Sequence, residues 1–253
     1  MESVADIKNK LAGRGSEDEL LSFIRAYDAD ERAGVKKLVL SAIKKTEDLR
    51  AEKARTKEMY RFEEQYLEYG FLCGIDEVGR GPLAGPVYAA AVILPADEKL
   101  LYLNDSKKLS EKKREELYDI IMDRAVAVGI GSVSHTRIDE INILQATYEA
   151  MTEAVKNLSV KPGALLIDAV HIPQLEEFKQ ISIIKGDAKS ASIAAASIVA
   201  KVTRDRVMKE LSSKYPEYSF DKNKGYGSEA HIEAIRKCGP CEIHRRSFIG
   251  NFI

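Results

Sequence analysis

Phe71-Leu72-Cys73-Gly74-Ile75-Asp76-Glu77-Val78, followed by Gly79-Arg80-Gly81-Pro82-Leu83-Ala84-Gly85-Pro86, sets the architecture of this chain. The first half is a short, mostly apolar run that ends in two adjacent acids. Pro86 to Leu94 is a second apolar run, and turn residues separate the two, so each reads as a strand. The simplest join is an antiparallel pair. Paired carboxylates suit hard divalent cations, which take oxygen ligands. A glycine-rich turn beside them lets backbone approach a ligand closely. Arg80 adds a planar charge suited to phosphate. Metal, backbone amides and phosphate charge in one short window point to phosphodiester chemistry.

Downstream, strands alternate with helical patterns. Ser110 is placed to cap a helix through Leu117, Ile120 and Ile121. Ala125 to Ser134 reads as a third strand. Ile138 to Leu158 is helical by the spacing of Ile141, Leu144, Tyr148, Met151 and Val155. After Pro162-Gly163, Ala164 to Asp168 is a short buried strand, and Ile181 to Lys185 is a fifth. Ser190 to Leu211 is a long alanine-rich helix whose small side chains allow close packing on a sheet. The expected fold class is α/β, a mixed five-stranded sheet flanked by helices.

Upstream, residues 1–69 read as an all-helical extension, and 70–253 as a second domain. Ser16-Glu17-Asp18-Glu19 has the pattern of a capping box. Asp30 is placed to start a second helix, and a third is expected through Met59, Phe62, Tyr66 and Leu67 to Gly70. Between Arg32 and Arg61 there are ten Lys or Arg and four Asp or Glu. A solvated helical face and an arm that contacts nucleic acid both fit that excess.

The whole chain has 253 residues, 39 Lys and Arg, and 40 Asp and Glu. No global basic field exists, so nucleic-acid affinity must come from local patches. Val87 to Leu94, the longest apolar run, is too short to span a bilayer. Three cysteines and no secretory pattern lead to the expectation of a reducing, cytoplasmic setting.

Asp76, Asp168 and Asp187 each stand where an apolar segment stops. Acids at strand ends in an open α/β sheet lie where ligands usually bind. Taken singly, each could be a turn residue, and Asp187 could simply cap the helix that follows. Adjacent strand residues point to opposite faces, so Asp76 and Glu77 share a site only if the strand ends or twists there.

Several blocks resemble, in the same order, those of type-2 ribonuclease H (ribonuclease HII). They are Asp76-Glu77-x-Gly79-Arg80-Gly81-Pro82-Leu83-Ala84-Gly85-Pro86, Asp105-Ser106-Lys107-Lys108-Leu109, and Asp168. Gly186-Asp187-Ala188-Lys189-Ser190 follows, with the helix Ala195 to Asp205, then Gly225-Tyr226-Gly227-Ser228 and His244-Arg245-Arg246-Ser247-Phe248. The resemblance spans about residues 71–250. It implies a ribonuclease H-like fold and cleavage of RNA paired with DNA, including incision 5′ of single ribonucleotides in duplex DNA. Products would carry 3′-hydroxyl and 5′-phosphate ends, which places the activity in DNA repair and replication. It further implies that Asp76, Glu77, Asp168 and Asp187 hold two Mg²⁺ or Mn²⁺ ions. Gly79, Arg80 and Gly81 would sense the ribose 2′-hydroxyl, Tyr226 would stack on the neighbouring sugar, and Lys107 would contact phosphate. Lys108, Lys189 and Lys201 are further phosphate candidates. A monomer with no membrane partner is expected. Ala169 departs from the pattern, since glycine often follows the third acid.

Cys238-Gly239-Pro240-Cys241 copies a redox motif, yet no strand-rich domain follows it. His231 and His244 flank that pair in an order unusual for zinc. The rival functions are a nucleic-acid-binding protein without catalysis and a different nuclease, such as a Holliday-junction resolvase.

Overall fold

The computed structural model describes residues 2–253. Its elements are α1 (Val4–Ala12), α2 (Glu17–Tyr27), α3 (Ala33–Met59), α4 (Arg61–Gln65), β1 (Leu72–Val78), β2 (Val87–Ile93), α5 (Glu111–Arg124), β3 (Ala127–Val133), α6 (His135–Ile141) and α7 (Ile143–Lys156). They continue with β4 (Ala164–Asp168), β5 (Lys179–Ile183), α8 (Ala191–Lys214), α9 (Phe220–Asn223), α10 (Glu229–Cys238) and α11 (Arg246–Ile249). Two compact units divide the chain, one ending at Glu58 and the other running Met59–Ile253.

In the first unit, Ile7, Leu11, Leu20, Phe23, Val35, Val39 and Ala42 form a small core of their own. The capping box forms as expected: the Ser16 side chain accepts from Glu19 N, and the Glu19 carboxylate accepts from Ser16 N. Asp30 does not open a helix. It accepts from Arg32 N, and α3 begins at Ala33. The two expected helices of the 30–70 stretch therefore become one long helix ending at Met59 and a short α4.

In the second unit the sheet order is β3-β2-β1-β4-β5. β1–β2 and β2–β3 are antiparallel, while β1–β4 and β4–β5 are parallel. Period-2 alternation splits the central strands between two layers. Cys73, Ile75, Ala89, Ala91, Leu165 and Ile167 pack with α7, whereas Ala90 and Val92 pack with α8. The alanines of α8 let it lie close to the sheet. At Gly74 the contact is so close that a Cβ would sit 2.0 Å from the Ser192 carbonyl carbon. Ser190 caps α8 by accepting from Ile193 N. The Glu63 carboxylate ties α4 to the same helix end, its Oε1 accepting from Ser190 Oγ, Ser192 N and Ser192 Oγ.

Two element boundaries differ from the sequence expectation. The 138–158 helix breaks at Asn142, whose φ is 70° and whose side chain caps α7 by accepting from Leu144 N and Gln145 N. The fifth strand is Lys179–Ile183 and stops before Lys185, which has φ 57° and so leaves the extended region.

Candidate active site

Asp76 and Asp168 come together through strand register. Ile75 pairs with Ile167 across parallel β1 and β4, so the next residues stand side by side, Asp168 as the last residue of β4 and Asp76 inside β1, which runs on to Val78. Leu166 packs with Ile193 of α8, and by alternation Asp168 turns toward that layer, as Asp76 does on the same face as Gly74. Asp76 is 6% exposed and accepts hydrogen bonds from Glu77 N at 2.8 Å and from the Ser197 hydroxyl. Ser197 is itself bonded to Ser106 Oγ at 2.9 Å. Burial, then the charges of Glu77 and Asp168, push the Asp76 carboxyl well above its usual range. Glu77 is raised by burial and by Asp168, against the pull of Arg80, whose Nη1 lies 3.4 Å from Glu77 Oε1.

Asp187 lies in the turn Gly186–Ala188 and caps nothing, because Ser190 fills that role. The same turn grips the third acid, with Gly186 N donating to Asp168 Oδ1 at 2.7 Å. Burial, then the charges of Asp105 and Asp168, raise the Asp187 carboxyl, while Lys107 opposes them. Asp168 is the hub, since its charge bears on Asp76, Glu77 and Asp187 alike. Among the described residues, no three carboxylate, imidazole or thiol groups close into a finished metal cage. The acids form an open, repelling cluster.

Gly79 to Gly81 leave β1 beside that cluster. Gly79 is buried with φ 94°, and a Cβ there would lie 2.3 Å from Arg204 Nε. Arg80 and Gly81 are exposed. Tyr226, 42% exposed, sits against this turn, its Cε1 lying 3.9 Å from where a Gly81 Cβ would be. Lys107 is exposed near Asp187. Lys201 is not available for phosphate, because it is turned inward onto Asp205 at 2.7 Å.

Sequence reasoning did not single out Asp105, Ser106 or Ser197 as neighbours of the acids. Asp105 and Ser106 were quoted only as a block, and nothing in their spacing placed them against α8. The Cys-Gly-Pro-Cys segment begins on the last residue of α10 rather than opening a helix, and its thiols are free. Burial raises the Cys241 thiol, opposite to what a redox nucleophile needs.

A five-stranded mixed sheet with carboxylates side by side on two neighbouring parallel strands is the layout of the ribonuclease H-like folds. The structure is similar to ribonuclease H2 from Pyrococcus horikoshii, with TM-score 0.58 and 29% identity over 70% of this chain and 92% of that one. It is also similar to the ribonuclease HII in a complex with PCNA from Archaeoglobus fulgidus, with TM-score 0.61 and 26% identity over 72% and 96% of the two chains. The family pattern of Ribonuclease HII matches residues 73–251, and that of the Ribonuclease HII N-terminal domain matches 3–67. Ribonuclease HII of Lachnoclostridium phytofermentans is 61% identical over 225 residues, 89% of this chain and 88% of that one. The Bacillus mycoides protein of the same name is 57% identical over 221 residues, 87% and 85% of the two. The chain belongs to the ribonuclease HII family. It is an enzyme, a metal-dependent ribonuclease H that cuts RNA/DNA hybrids internally. No helix among the described residues is long and apolar enough to cross a membrane.

Proposed function

We propose that this enzyme also incises 5′ of single ribonucleotides embedded in duplex DNA, leaving 3′-hydroxyl and 5′-phosphate ends, with two divalent ions at Asp76, Glu77, Asp168 and Asp187. The observation that carries this reading is the gathering of buried Asp76 and half-buried Glu77 and Asp187 around Asp168, directly beside an exposed backbone turn and Tyr226. Carboxyls raised by burial and mutual repulsion are relieved by cations, and an all-oxygen donor set fits Mg²⁺ or Mn²⁺. When bound, such ions supply an activated water and stabilise the departing 3′ oxygen.

The chain's own groups do the rest. Asp168, held by Gly186 N, and Asp76, held by Glu77 N and Ser197, are oriented before any ligand arrives. Arg80 restrains Glu77 and reaches toward solvent, where a phosphate would pass. The Gly79–Gly81 backbone offers hydrogen bonds to a 2′-hydroxyl, the group that separates ribose from deoxyribose. Tyr226 supplies a flat face for the adjoining sugar, and Lys107 a cation for the backbone. Residues 1–69 form a helical arm for the substrate, 70–253 form the catalytic domain, and the enzyme works as a cytoplasmic monomer in DNA repair and replication.

One assay tests the reading: equal concentrations of a duplex with one ribonucleotide, a long RNA/DNA hybrid and a four-way DNA junction, each with Mg²⁺ or Mn²⁺. Cleavage of the first two with 3′-hydroxyl ends, and none of the junction, is expected. Failure to incise the single-ribonucleotide duplex rejects the proposal.

A further inference from the structure

Two fully buried arginines lie under the Gly79–Pro86 loop, and the chemistry above does not use them. Arg204 and Arg245 are both 0% exposed. Among the described residues neither is in an ion pair with a carboxylate. Each spends its donors on main-chain carbonyls. Arg245 donates from Nη2 to Gly79 O at 2.6 Å, from Nη1 to Arg80 O at 2.9 Å and from Nε to Gly85 O at 3.0 Å. Arg204 donates from Nε to Pro86 O at 2.9 Å, from Nη1 to Lys224 O at 2.9 Å and from Nη2 to Ala84 O at 3.2 Å.

Burying an unpaired cation is costly, and burying two near each other is more so. Burial and the Arg204 charge bring the Arg245 guanidinium down to about 9, still charged at neutral pH. Filling space would not require this. A long apolar side chain would pack without the electrostatic cost. The return is in the peptide planes. In a trans peptide the N–H points opposite to the C=O. Drawing the Gly79 and Arg80 carbonyls inward therefore turns the Arg80 and Gly81 N–H groups outward. Neither N–H has an acceptor among the described residues. Successive outward N–H groups make a concave site for an oxygen bearing negative charge or a lone pair.

The same guanidiniums set the position of Tyr226. Arg204 holds the Lys224 carbonyl, Leu83 N donates to Gly225 O at 2.8 Å, and the Arg204 Cζ lies 5.9 Å from the Tyr226 ring centre. A Gly79 Cβ would collide with Arg204, and a Gly85 Cβ would meet Met208 Sδ at 2.6 Å, so the loop is seated directly on this layer.

We infer that Arg204 and Arg245 are positioning residues for ribose selection, together fixing two outward N–H groups and the Tyr226 turn as one unit. The inference rests on the single-ribonucleotide reading above. Lysine cannot replace them, because one ammonium does not bridge three carbonyls in a plane.

The test is Arg245→Lys, with kcat and KM measured on a single-ribonucleotide duplex and on a long uniform hybrid, alongside amide NMR of the folded variant. Both substrates present a 2′-hydroxyl at the cleaved residue, so kcat/KM should fall about tenfold or more on each. The Arg80 and Gly81 amide resonances should move while those of β1 and β4 stay in place. Unchanged kcat/KM on both substrates, or unmoved Arg80 and Gly81 amides, overturns the inference. Wild-type enzyme that ignores the single ribonucleotide would overturn the functional reading instead, and the amide resonances would still decide this one. If Arg245→Lys does not fold, Arg204→Lys takes its place. Movement of the Lys224 to Tyr226 amides with the same loss of kcat/KM supports the inference, and unmoved amides overturn it.

Discussion

Lowering the pH from 7.5 to 5.5 should destabilise this enzyme through one buried imidazole pair. His231 is 0% and His244 1% exposed, and their Nε2 atoms lie 3.0 Å apart. The bonding fixes both tautomers. His231 Nδ1 donates to Tyr226 O at 2.8 Å, so its Nε2 accepts from His244 Nε2. His244 Nδ1 is then an acceptor, and Cys241 N donates to it at 3.0 Å. Every position is filled by neutral rings, and a proton on either one breaks the chain of bonds. Burial, then the His231 ring, lowers His244 to about 4, and burial lowers His231 as well. An unfolded histidine titrates near 6.5. Between these values the unfolded chain binds more protons, so stability rises with pH across the window and is complete above about 6.5. It falls as pH drops and levels off below about 4. For His244 alone the loss is about 1 kcal/mol at pH 5.5 and roughly 3 kcal/mol when complete, at 1.36 kcal/mol per unit. About 1 kcal/mol corresponds to roughly 2–4 °C in Tm for a chain of this size. Thermal unfolding followed by circular dichroism, in the double variant His231→Gln/His244→Gln beside the wild type, isolates the effect. The wild-type Tm should fall by that much more than the variant's over this pH step. Parallel pH dependences in the two proteins would refute the reasoning.

Asp76→Asn should reduce cleavage on the order of 10³-fold or more, since the acids act as a unit. Because the Asp76 carboxyl is raised, its charge at neutral pH opposes folding, so the variant's Tm in chelator should exceed the wild type's; a lower Tm, or retained turnover, rejects the assignment. Ala169 holds φ 55°, the left-handed region, directly after Asp168. Ala169→Gly should therefore add about 0.5–1 kcal/mol in a urea titration, and a loss of stability would show that no strain was relieved. Lys44 and Lys45 are exposed on α3. Changing both to Gln should lower the slope of log affinity against log salt for hybrid by about 1–2 if this helix lies along a backbone, and an unchanged slope argues against the arm.

The five strands and the alanine-rich helix were legible because their apolar runs are short and bounded by turn residues. Asp168 does end its strand, whereas Asp76 lies inside β1, and the adjacency of the two needed the parallel register, which no local pattern encodes. Asn142 was hidden because the hydrophobic spacing continues across it, while its side chain caps the second helix and splits the pattern in two. Lys185 was assigned to a strand because Ile183-Ile184 is apolar, yet Ile184 is 71% exposed and the chain has already turned. Arg204 and Arg245 stood in the sequence only as members of two distant blocks. Only tertiary packing shows them beneath a loop more than a hundred residues away in sequence. The Asp187–Asp105 contact likewise joins segments that no periodicity relates.

A single rod spans the working parts of this enzyme. α8 runs 24 residues, about 36 Å at 1.5 Å per residue. Its head is locked by Glu63, its middle touches Asp76 through Ser197, and Arg204 further along sustains the glycine turn. Floor and gauge are thus bolted to one beam, with no hinge between them. A substitution that tilts this helix should therefore disturb the acid cluster and the glycine turn together, never one alone.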